Sequence, residues 1–110
     1  RGLGDVYKRQ LKKLLSEDSH INRRPSYYAQ LLHVSPVYLN EVVKNITGTT
    51  ASKYIQDEII LRAKRMLIYT TLSIKEIAFD LGFDDHTYFT RLFTQTAGLT
   101  PTTYRKKYLE

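Results

Sequence analysis

The densest group of metal-ligating residue types in the chain is Asp84-Asp85-His86. Two carboxylates and an imidazole in succession could hold a metal only with further ligands at workable spacing, and none follow. An apolar helical pattern starts immediately after them, so Asp84 or Asp85 reads as a helix N-cap. His20 and His33 are dispersed and read as surface or packing residues. Cysteine is absent, which excludes thiolate nucleophiles, thiolate metal sites and disulfides. There is no Gly-rich phosphate loop, and no nucleophile and base can be paired with any specificity. The sequence therefore predicts no enzyme, no cofactor and no metal site.

Charge carries more information. Seventeen Lys and Arg against eleven Asp and Glu give a net charge of +6 over 110 residues. A balance of that sign favours polyanionic partners, nucleic acid first and an acidic membrane surface second. The excess is uneven: residues 1–24 hold seven basic residues against three acidic ones, and residues 71–110 hold five of each. One basic face is expected rather than a uniformly basic surface. Arg105-Lys106-Lys107 reads as a solvated tail, whereas Arg24, beside a helix start, is within reach of a phosphate. No apolar run approaches a membrane span and no signal-peptide pattern opens the chain. The lack of cysteine suits a reducing interior, so a cytoplasmic location is expected.

The elements that must position these residues are helices, and the fold class is all-α. Thr50 to Thr70 reads as one long helix, N-capped by Thr50 and uninterrupted by Gly or Pro. Ile55, Ile59, Ala63, Met66 and Leu67 form its apolar stripe, with Lys53, Asp57, Arg62 and Lys64 outward. Residues 1–10 show no amphipathic period and read as a flexible or non-native leader, either a linker remnant or a scar of cloning or assembly. Leu11, Leu14 and Leu15 mark a first short helix. Pro25 suits position N1 of a second helix reaching about His33, with Tyr28, Ala29 and Leu32 inward. Ser35-Pro36 opens a third through Asn45, with Tyr38, Leu39, Val42 and Val43 on its apolar face and Gly48 as a stop. Ser73 and Glu76 form a capping box, with Leu72 and Ile77 as its hydrophobic staple. That helix ends near Leu81-Gly82. Another runs through Phe89 and Phe93 to Gly98, and Thr100-Pro101 opens a last short helix holding Tyr104.

The segments flanking the long helix repeat each other. Ala29 and Leu32 match Ala78 and Leu81 at an offset of 49, and Leu39, Gly48, Thr50 and Tyr54 match Phe89, Gly98, Thr100 and Tyr104 at an offset of 50. Each copy is a helix, a tight turn, a second helix and the first turn of a following one. This is a helix-turn-helix pattern, too small for a core of its own. The expected organisation is a leader over 1–10, a first helix-turn-helix lobe over 11–48, a linker helix over 49–71 and a second lobe over 72–110, with about seven helices in all. Tyr28, Tyr38, Tyr54, Tyr88 and Tyr104 recur at helical periods and read as core or rim residues rather than base-stacking platforms.

The second copy, Ser73-Ile-Lys-Glu-Ile-Ala-Phe-Asp-Leu-Gly-Phe83 followed by Tyr88-Phe-Thr-Arg-Leu-Phe93, Gly98, Thr100-Pro101 and Tyr104-Arg105, resembles the AraC-type (AraC/XylS) bacterial transcription regulators. The first copy adds Ser35-Pro-Val-Tyr-Leu-Asn-Glu-Val-Val43, Gly48 and Tyr54-Ile55. The resemblance covers about Leu11 to Tyr108. It implies a C-terminal DNA-binding domain whose two recognition helices enter adjacent major grooves of double-stranded DNA. Carried over by position, Val37, Asn40 and Glu41 of the first copy and His86, Thr87, Thr90 and Arg91 of the second meet base edges. Arg24, Ser35, Pro36, Lys44, Asp85 and Arg105 are then assigned to the DNA backbone. The chemistry is compatible, since Asn pairs with adenine, Arg with guanine, and Val meets a thymine methyl.

Two residues or stretches depart from the family pattern. Glu41 stands where a basic residue is common, and Ile59-Ile60 where Arg-Leu is common. The resemblance also implies contact with RNA polymerase and a sensor or dimerisation region that these 110 residues do not contain. The chain is thus expected to be a fragment of a longer regulator or a short stand-alone form. About 20 helical residues at 1.5 Å each span about 30 Å, close to the roughly 34 Å of one DNA turn, so the long helix reads as a spacer. The rival expectation is a helix-turn-helix module that docks protein without reading DNA, its recognition surfaces blunted by Glu41, Asp84 and Asp85.

Overall fold

The computed structural model describes residues 2–17 and 22–109, so His20 lies outside the described residues. These residues form seven helices: α1 (Gly2–Glu17), α2 (Pro25–Leu31), α3 (Pro36–Thr47), α4 (Ala51–Tyr69), α5 (Ile74–Asp80), α6 (His86–Ala97) and α7 (Pro101–Leu109). The chain divides into two compact units, Arg1–Glu58 and Ile59–Glu110. The boundary falls inside α4. Of the long helix expected as a linker over 49–71, the first two turns group with one unit and the rest with the other.

In the first unit, α1 begins at Gly2 rather than at Leu11. The segment expected as a leader is helical because α3 gives it something to pack on. The Ile46 side chain approaches so closely that a Cβ on Gly4 would sit 3.1 Å from it. The Tyr7 ring meets the Tyr38 ring edge-on with centroids 5.8 Å apart. Leu11 and Leu15 continue the buried face. Two glycines near a chain start are poor helix formers, and tertiary contact overrides that preference here.

The turns between α2 and α3 and between α5 and α6 are built from the same backbone bonds. Leu32, His33 and Val34 donate to Tyr28, Gln30 and Ala29, while Leu81, Gly82 and Phe83 donate to Ile77, Phe79 and Ala78, each pair offset by 49. The pivot is left-handed in both, with φ of 60° at His33 and 88° at Gly82. A side chain at such a φ costs about 1–2 kcal/mol, and glycine loses about 0.5–1 kcal/mol more entropy on ordering. His33→Gly is therefore expected to stabilise the first unit by up to about 1 kcal/mol, read as a raised midpoint in urea unfolding. An unchanged or lowered midpoint would show that the His33 side chain holds the turn in another way.

The cores of the two units differ in chemistry although their patterns match. Tyr28, Ala29, Leu39, Val42, Val43, Ala51 and Ile55 are buried in the first. In the second, Phe83, Phe89 and Phe93 form an aromatic chain with centroid separations of 5.2 and 5.9 Å, and Tyr104 meets Phe93 at 5.5 Å. Ile59, Ala63 and Leu67 of the expected α4 stripe are also buried there, joined by Ile60, whereas Met66 is half-buried. Tyr38, expected inward, is 38% exposed; position 38 lies at the rim of the α3 apolar face. The enclosed Tyr54 hydroxyl has no hydrogen-bond partner among the described residues. Burial, and then the Glu58 charge, raises its pKa and keeps the phenol neutral. Among the described residues no helix is long and apolar enough to cross a membrane.

Candidate nucleic-acid interface

Helices α3 and α6 are amphipathic, and each begins with an exposed, capped end. Ser35 caps α3, its Oγ accepting from the Tyr38 amide at 3.0 Å, with Pro36 in the first turn. Asp85 caps α6, its Oδ1 accepting from the Thr87 amide at 2.9 Å. This resolves the choice between Asp84 and Asp85. Each helix ends on a left-handed glycine, Gly48 or Gly98, whose N–H reaches the carbonyl of Lys44 or Thr94 at 2.8 Å. The helix before each turn also starts as the residues require: Arg24 precedes Pro25 with no side-chain cap, and Ser73 with Glu76 makes the capping box at 3.0 and 2.8 Å.

Burial places Leu39, Val42 and Val43 on the inner face of α3, and Phe89, Leu92 and Phe93 on that of α6. The opposite faces hold the residues expected to read bases. Val37 is 69% exposed despite being apolar, and Glu41 and Lys44 follow it at helical spacing on the outside. On α6, His86, Thr87 and Arg91 are exposed and Thr90 is half-buried. The Arg91 guanidinium lies over the Tyr88 ring, 5.7 Å from its centroid. That stacking limits the conformations of a long side chain before it meets a ligand. The helical recurrence of Tyr88 by itself marks only a core or rim packing residue. Its spacing of three from Arg91 on one helix is the signal that pairs them.

Asn40 and Arg105, both expected contact residues, are bonded to backbone groups of another helix or the turn after it. The Asn40 Oδ1 accepts from the Ala51 amide at 2.9 Å, and Asn40 is half-buried. Arg105 donates from Nε to the Leu67 carbonyl at 2.8 Å and from Nη2 to the Thr70 carbonyl at 3.1 Å. It thereby ties α7 to the carbonyl-rich end of α4, where a guanidinium is favoured by the unpaired carbonyls and the helix dipole. Arg24, at the start of α2, is exposed, and its backbone N–H donates to the Asn22 Oδ1 at 2.8 Å.

An open groove lies beside α5 and reaches the start of α6, lined by Leu72, Phe79, Asp80, Phe83, Asp84 and His86 among others. Phe79 stands 75% exposed there.

The comparisons with known proteins agree with this geometry. A family model described as a helix-turn-helix domain matches residues 28–107. The HTH-type transcriptional regulator YfiF of Bacillus subtilis (strain 168) is 39% identical over 80 residues, covering 73% of this chain and 25% of that protein. The HTH-type transcriptional activator RhaR of Cronobacter sakazakii is 36% identical over 70 residues, covering 64% and 25%. The chain thus spans about a quarter of the length of these relatives. Among solved structures, the C-terminal domain of AraT, a response regulator from Geobacillus stearothermophilus, aligns with a TM-score of 0.80 at 28% identity over 93% of this chain and 84% of that one. The DNA-binding domain of AdpA, solved with a target DNA, has the same fold, with a TM-score of 0.80 at 22% identity over 93% and 91%. With its two copies of one motif and these matches, the chain belongs to the AraC-type helix-turn-helix family of transcription regulators.

Proposed function

We propose that this chain binds double-stranded DNA sequence-specifically, with α3 and α6 as recognition helices in adjacent major grooves, and that it regulates transcription by doing so. The observation that carries this reading is the duplicated presentation of an outward helix face behind a capped, exposed N-terminus. Val37 and Glu41 occupy that face on α3, and His86, Thr87 and Arg91 on α6. Arg91 offers bidentate donors to guanine O6 and N7, Val37 a methyl surface to thymine, and Glu41 an acceptor to cytosine N4. The half-buried Thr90 takes a marginal place at the edge of this set. Lys44, Arg24 and the capped starts at Ser35-Pro36 and Asp85 serve the phosphate backbone, which positions the helices without reading sequence. Arg105, also assigned to the backbone, ties α7 to α4 through its bonds to the Leu67 and Thr70 carbonyls. The net charge of +6 supports the phosphate part of binding.

Arg91→Ala is expected to weaken binding to a site selected from a random duplex library by about 1–3 kcal/mol and to relax one base position only. Equal affinity for that site would remove Arg91 from the reading set. Binding that is absent, or insensitive to salt, would favour the protein-docking alternative, because phosphate neutralisation makes DNA affinity fall steeply with salt. Contact with RNA polymerase, a further sensor or dimerisation region and a cytoplasmic location belong to the same reading.

A further inference from the structure

The two copies treat one backbone donor in opposite ways. Ala51 opens α4, so its N–H has no acceptor within the helix, and the residue is only 1% exposed. The neighbouring cap Thr50 is committed elsewhere, its Oγ1 accepting from the Lys53 amide at 3.1 Å. The acceptor for Ala51 comes from Asn40, eleven residues earlier on α3, at 2.9 Å. Because the donor is a backbone N–H, the atom facing it must be the amide oxygen. In the second copy, Ala51 corresponds to Pro101, which has no N–H to satisfy. The position matching Asn40 is there Thr90. The surroundings are otherwise alike: Thr100 caps through the Thr103 amide at 3.1 Å, as Thr50 does through Lys53. The amide acceptor stands where the donor exists, and a shorter hydroxyl side chain takes its place where proline has removed the donor.

We propose that Asn40 is a positioning residue that fastens the middle of α3 to the first residue of α4, and that base reading by α3 falls to Val37 and Glu41. The inference rests on α3 being a recognition helix. Pairing with adenine would require Asn40 to turn both its amide oxygen and its amide nitrogen toward the base edge. The oxygen is held by Ala51, and turning it away would leave a buried donor unpaired. The cross-link joins two helices of the first unit at the point where the chain leaves the recognition helix, so it sets the angle at which that helix is presented.

The test transplants the second copy's pair into the first. Asn40→Thr, Ala51→Pro and the double variant are made in the full 110-residue chain. Proline at N1 is favourable for a helix start, so Ala51→Pro should fold. In the unaltered chain the Ala51 amide should exchange with solvent about tenfold or more slowly than in Asn40→Thr, measured by NMR. Asn40→Thr should lower Tm by about 4–8 °C, and adding Ala51→Pro should recover most of that loss. On the selected DNA site, Asn40→Thr should weaken binding without changing the base preference at any position, and the double variant should restore the affinity. Loss of an adenine preference at one position that Ala51→Pro does not restore would overturn the proposal. So would an Ala51 amide that exchanges equally fast with and without Asn40. Failure of the unaltered chain to bind DNA would overturn the recognition-helix reading and the role assigned to Asn40 with it. The exchange and Tm measurements need no DNA, so that failure is distinct from failure of the tether.

Discussion

Replacing Phe93 by alanine is expected to destabilise the second unit by about 3–5 kcal/mol, the range for emptying a fully buried aromatic site. Phe93 is fully buried and stands between Phe89 at 5.9 Å and Tyr104 at 5.5 Å. Its loss therefore removes two ring contacts and leaves a cavity that neither rigid neighbour can fill. A domain of this size has about 5–15 kcal/mol of stability in total, so much of it is at risk. The matching change in the first unit, Val43→Ala, removes only two methyl groups' worth of apolar burial, about 1.6 kcal/mol at 0.8 per carbon. Calorimetry on both variants checks the contrast. Equal losses would mean that the aromatic chain contributes no more than the aliphatic core opposite it in the repeat.

Arg62→Pro is expected to cost about 3 kcal/mol or more. Position 62 lies in the interior of α4, which runs unbroken from Ala51 to Tyr69. Proline there removes the N–H that would reach the carbonyl of Glu58, and its ring clashes with that carbonyl. Glu58 is also the last residue of the first unit, so the break falls at the seam between the two. The expected functional readout is a loss of preference for one spacing between half-elements in sites selected from a random library. Retention of a single preferred spacing would show that an unbroken α4 is not what sets it.

Much of the fold was legible because its determinants are local. The capping box at Ser73 and Glu76, the cap at Ser35 before Pro36, and the left-handed glycines at 48 and 98 each act within a few residues of chain. The repeat at offsets of 49 and 50 was visible for the same reason, since its landmarks are turn and cap residues. Position 33 was not, because His33 takes the left-handed φ that Gly82 takes in the other copy. The helical state of residues 2–10 was hidden as well. It depends on Ile46 and Tyr38, more than 30 residues away in sequence, and two glycines argued locally against it.

The candidate site divides along the same line. Periodicity marked the apolar faces of the two helices, and the resemblance placed Val37, Glu41, Thr87 and Arg91 among the contact residues, all of which lie exposed, because 3.6 residues per turn decides which side chains share a face. Neither could tell which outward residues remain available. Asn40 and Arg105 carry the right chemistry for DNA, but their polar atoms meet Ala51, Leu67 and Thr70 across gaps of 11 to 38 residues. By itself the sequence determined the all-α class, the duplicated motif, the ends of most helices and the faces that look outward, all set by short-range sterics and backbone hydrogen bonding. Only the tertiary structure decided which polar side chains also hold bonds inside the protein, because a long-range hydrogen bond leaves no periodic mark on the residues that make it.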